Sequence, residues 1–128
     1  METITTKLIG AGILFLLTLI SGVIVSRSGR PLSVGLVTIH KLIAVGTIVL
    51  TGMAVDQLYK TVERQAFIGM SVMVISGILF LALIATGALL TREEMQLPKT
   101  VMKLHQGVPL LALVSSTITV YLLARGNS

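Results

Sequence analysis

His40 and His105 are the only two histidines in a chain of 128 residues, and they are 65 positions apart. The chain is 54% hydrophobic and 12% charged, with a mean hydropathy of +0.98, so ionisable side chains are scarce and their places carry information. Each histidine lies within an expected apolar helix, about five to eight residues from its start, or roughly 8–12 Å along the axis. An imidazole in such a stretch is costly to bury unpaired and marks a functional position. Two neutral imidazoles with no nearby carboxylate or thiolate make a poor zinc site, which takes four protein ligands or three and a water. They do match the needs of an iron whose other ligands come from a porphyrin, with one imidazole above the ring and one below.

The elements that position them are four runs nearly free of charge, at 8–25, 32–55, 66–90 and 104–124. Each approaches or exceeds the ~20 residues that carry a helix across a ~30 Å hydrocarbon core. Helices satisfy their own backbone polar groups in lipid, and "GILFLLTLI" lacks the alternation of a membrane strand. Residues 1–25 have some look of a signal peptide, but the apolar run is longer than a usual signal core. Its likeness to residues 73–90 argues that it stays. The expected fold is all-α: a single transmembrane domain over 1–128, a four-helix bundle in contact with the bilayer, with no extramembrane domain.

The pentapeptide GILFL occurs at 12–16 and again at 77–81, the same 65-residue offset as the histidines. Laid on 73–123 at that offset, residues 8–58 give twelve identities in fifty-one. These include Gly22/Gly87, Arg27/Arg92 and His40/His105. The pattern predicts two tandem αα-hairpin repeats, about 1–63 and 66–128, in parallel orientation with a pseudo-twofold axis along the membrane normal. In a bundle with short loops, equivalent helices sit diagonally opposite. His40 and His105 would then face each other at one depth from the second and fourth helices, as ligands of one non-covalent haem b.

Other repeated residues acquire expected roles around that group. Gly22 and Gly87 lie at about the histidine depth, where a missing side chain admits a flat ligand or a neighbouring helix. Arg27 and Arg92 end the first and third helices, where guanidinium groups can pair with haem propionates or with lipid headgroups. Lys41 and Lys103 are alternative propionate partners. Phe15 and Phe80 fall deeper and suit core packing. Pro109, in place of Ala44 of the first copy, removes the N–H that would bond the His105 carbonyl and is expected to kink the fourth helix.

Three segments connect the runs: "SRSGRPLS" (26–33), "DQLYKTVER" (56–64) and "TREEMQLPK" (91–99). Six Lys/Arg (27, 30, 41, 92, 99 and 103) fall on the side of the first and third, against four (7, 60, 64 and 125) on the other. The positive-inside tendency then favours loops 27–34 and 91–99 in the cytoplasm. The net charge of +5 reads as headgroup-facing charge rather than a nucleic-acid surface. With no cysteine there is no disulfide, no thiolate-held iron–sulfur cluster and no covalent C-x-x-C-H haem.

Histidines on the second and fourth helices of a membrane bundle resemble the membrane b-type cytochromes, especially the cytochrome b561-like proteins. In that family diagonal helix pairs each hold a haem, one near each membrane face. Here the first and third helices carry no histidine, so the resemblance implies one haem and leaves the far face roughly 20 Å from the iron. It implies electron transfer between a membrane quinol and a partner protein. Two other functions fit the same sequence: a small histidine-lined transporter or channel, and a haem-free anchor subunit for which "TREEMQLPK" would meet a partner. A homodimer stays open. No Ser/His/Asp set, phosphate loop or carboxylate pair stands at a workable spacing, so an electron carrier or subunit is expected before a self-contained enzyme.

Overall fold

A computed structural model describes residues 2–61, 67–92 and 96–125. Four helices follow one another: α1 (Glu2–Arg27), α2 (Val34–Thr61), α3 (Phe67–Leu90) and α4 (Lys99–Arg125). All four are long and apolar enough to cross a membrane. At 24 to 28 residues they reach roughly 36–42 Å, which exceeds a ~30 Å hydrocarbon core and leaves their ends for the headgroup layer.

The ends have local causes. After α1, the Ser28 N–H still bonds the Ile24 carbonyl at 3.0 Å, and Gly29 then turns the chain with φ +76°, a conformation that residues with a Cβ seldom adopt. Ser33 opens α2: its carbonyl accepts from Val37 N–H at 3.0 Å and its hydroxyl from Leu36 N–H at 3.5 Å. Pro98 precedes α4 and its carbonyl accepts from Val101 N–H at 3.1 Å.

One expectation is corrected here. The connection at 56–64 is helical as far as Thr61, because Asp56, Gln57 and Lys60 include no helix breaker and can sit at a wet helix end. Residues 62–66 lie outside the described residues. Pro109 lies inside the fourth helix, which runs from Lys99 to Arg125 on both sides of it.

The chain divides into two compact units, residues 1–57 and 58–128. In the first, α1 and α2 pack through small side chains. A Cβ on Gly10 would come within 2.8 Å of Leu50 Cδ2, and one on Gly46 within 3.5 Å of Leu14 Cδ1. Thr18 and Thr47 bridge the two helices through their hydroxyls at 3.0 Å, while Lys7 Nζ donates to Gln57 Oε1 at 2.9 Å. In the second unit, α3 and α4 are bridged by Ser76 and Thr119 hydroxyls at 3.3 Å. Close approach of small residues and hydroxyl bonds are the usual means of joining helices in lipid, where hydrophobic burial supplies little drive.

Buried positions recur at the 65-residue offset. Ala11 and Ser76 are buried, as are Thr47 and Ala112, Ala54 and Thr119, and Leu58 and Leu123. The bridging pair occupies different positions in the two hairpins: where the second has Ser76 and Thr119, the first has Ala11 and Ala54. Outward faces are apolar. Ile9, Ile13, Leu16, Ile20 and Val23 on α1, and Val74, Ile78 and Leu81 on α3, are exposed at helical spacing, a surface suited to lipid tails.

Candidate functional site

His40 lies six residues beyond Val34, the first residue of α2, and His105 six beyond Lys99, the first of α4. Both imidazoles are half-buried. His40 Nδ1 is 2.9 Å from Ser21 Oγ of α1. His105 Nδ1 is 2.8 Å from Thr86 Oγ1 of α3. Ser21 and Thr86 are themselves 65 residues apart, so each hairpin braces its imidazole by the same nitrogen, against a hydroxyl at the same position.

The next residue in each case is a glycine lying against the ring. A Cβ on Gly22 would stand 3.1 Å from His40 Cε1, and one on Gly87 would stand 3.1 Å from His105 Cε1. That is closer than ordinary van der Waals contact, so any side chain there would push the imidazole. The glycines therefore make room for the histidine of their own hairpin. Gly12 and Gly77, also equivalent, play no such part: a Cβ added at either would meet nothing within 4 Å.

Comparison with known family models, with curated proteins and with solved structures found no match. The chemistry of the site rests on its own residues.

The hydroxyls are themselves anchored. Ser21 Oγ–H points to the Thr18 carbonyl at 3.0 Å. Thr86 Oγ1–H points to the Ala82 carbonyl at 2.7 Å and the Leu83 carbonyl at 3.3 Å. Both imidazoles are thus held by groups fixed to a neighbouring helix backbone, which limits ring rotation. Among the described residues no three of His, Cys, Asp and Glu gather into a cluster that could hold a metal ion.

Arg27 ends α1 and Arg92 lies two residues beyond α3; both are exposed. Lys41 and Lys103, each within two residues of a histidine, are exposed as well. Phe15 is buried and Phe80 half-buried, in keeping with core packing. Glu93, Glu94 and Met95 of "TREEMQLPK" lie outside the described residues. The hydroxyls at 21 and 86 escape a search for repeated identities because serine and threonine count as a mismatch. The signal that could reveal them is a hydroxyl residue immediately before glycine in both copies.

Proposed function

We propose that the protein is a single-haem b-type membrane cytochrome in which His40 and His105 are the axial ligands, one from each of two duplicated hairpins. The observation that carries this reading is the matched bracing of the two rings: same depth from the helix start, same hydroxyl position on Nδ1, same glycine against Cε1. A ligand histidine needs its second nitrogen engaged so that ring orientation is fixed before the iron arrives. That need is met in both hairpins by residues a lone structural histidine would not require in duplicate.

The residues present fit the group. Two imidazoles leave a four-coordinate metal ion two ligands short, while a porphyrin supplies four nitrogens of its own and asks for two. A bound haem would supply one-electron chemistry at its iron, with the potential tuned by the imidazoles and their hydroxyl partners. Arg27, Arg92, Lys41 and Lys103 lie on the histidine side of their hairpins and would neutralise the anionic propionates at the wet edge. Gly22 and Gly87 serve the site by seating the imidazoles. The same charges favour the loops at 27–34 and 91–99 in the cytoplasm. A membrane quinol and a redox protein on that side are the electron partners this reading names, by the likeness to the cytochrome b561-like proteins.

Expression with ample haem, purification in mild detergent and a visible spectrum before and after dithionite test the proposal. The expected result is a Soret band with sharp α and β bands on reduction, as a six-coordinate low-spin haem gives. A colourless protein obtained under conditions that load other b-type cytochromes would contradict it.

A further inference from the structure

Each bracing hydroxyl has one proton and more than one candidate acceptor within reach, and that shortage decides where the imidazole proton sits. Ser21 Oγ lies 3.0 Å from the Thr18 carbonyl and 2.9 Å from His40 Nδ1. A carbonyl can only accept, so a bond between Ser21 and Thr18 must use the serine proton. The bond between Ser21 and His40 then requires a proton from Nδ1. The opposite assignment, with the serine proton given to a bare Nδ1, leaves the serine–carbonyl contact without a hydrogen.

The second hairpin repeats the count. Thr86 Oγ1 stands within 2.7 Å of the Ala82 carbonyl and 3.3 Å of the Leu83 carbonyl, both acceptors only, and 2.8 Å from His105 Nδ1. One threonine proton, shared between two carbonyls in a three-centre bond, leaves Nδ1–H as the donor to Oγ1. The γ-methyl of Thr86 further restricts χ1 and holds the hydroxyl in this pose.

We infer that Ser21 and Thr86 are positioning residues that fix both histidines, when neutral, as the Nδ1–H tautomer and so keep the lone pair on Nε2. The inference rests on the haem reading for its purpose, but the proton placement follows from hydrogen-bond geometry within each hairpin. Nε2 is the nitrogen that the proposed iron would use. A neutral hydroxyl already donating elsewhere accepts more weakly than a carboxylate, so the ligands gain orientation from it with only modest added basicity.

The test is ¹⁵N NMR of the haem-free full chain, histidine-labelled, in bilayers near pH 9, well above the ordinary imidazole pKa of about 6.5. Wild type should show both rings with protonated Nδ1 and unprotonated Nε2. Ser21→Ala should shift His40 alone toward a mixture of tautomers, and Thr86→Val should do so for His105 alone. Ser21→Thr and Thr86→Ser should restore the wild-type pattern. In haem-loaded protein the Ala and Val variants should raise the midpoint potential, because an imidazole that loses its Nδ1–H acceptor becomes a weaker donor to oxidised iron.

Wild-type rings protonated on Nε2, or tautomers unmoved in both variants, would overturn the inference even if haem binds. The expected tautomers in a protein that takes up no haem would support it and would overturn the proposed function instead.

Discussion

Contact distances at single residues decide which substitutions the histidine sites tolerate. Gly22→Val and Gly87→Val each introduce atoms where a Cβ alone would already be 3.1 Å from imidazole Cε1. Overpacking of this kind costs on the order of 1–3 kcal/mol, and a loss of ~1.4 kcal/mol is tenfold in affinity. Haem titration should show each variant binding about tenfold more weakly or worse, with Gly12→Val, which fills open space, unchanged. Equal affinities for Gly22→Val and Gly12→Val would show that the ring does not depend on this glycine. Ser116 gives an opposite expectation. Its hydroxyl is buried with no hydrogen-bond partner among the described residues. An unmet buried hydroxyl costs roughly 1–3 kcal/mol, so Ser116→Ala should leave stability unchanged or raise it in thermal unfolding. A clear fall would mean that Ser116 has a partner.

For the helices, pairing within each hairpin depends on small residues and hydroxyl hydrogen bonds, since their outward apolar faces gain nothing from leaving lipid for lipid. Interhelical hydrogen bonds in membranes contribute about 0.6 kcal/mol on average. Thr47→Val should therefore lower stability by about that amount in a detergent-unfolding titration, and no more once Thr18 is already Val. An additive loss in the double variant would show that Thr18 and Thr47 do not act as a pair. The helices are legible in the sequence because charge-free runs of some twenty residues have few other interpretations. The end of α2 is not: a boundary drawn at Asp56 comes too early, because charge at a wet helix end breaks no hydrogen bond. His40, His105 and the two glycines stand out by their repeat, whereas Ser21 and Thr86 share a chemistry hidden by different names. The bridging pairs are hidden more deeply. Thr18 and Thr47 align with Leu83 and Ala112, while Ser76 and Thr119 align with Ala11 and Ala54, so no identity marks either bridge.

For the whole molecule, orientation and cofactor content are the properties to measure. The chain has no cysteine, so single cysteines can report sidedness without background. With the loops at 27–34 and 91–99 cytoplasmic, Lys60→Cys should react with an impermeant maleimide on intact cells and Ser28→Cys only after permeabilisation. The reverse pattern would place these loops outside. The central claim is that both histidines hold one haem, and the most direct measurement is haem bound per chain in wild type, His40→Ala and His105→Ala, read alongside the low-spin spectrum. One haem per chain is expected in wild type, and in each single variant a loss of the six-coordinate spectrum with most of the bound haem. Unchanged haem content and spectrum in either variant would contradict the claim.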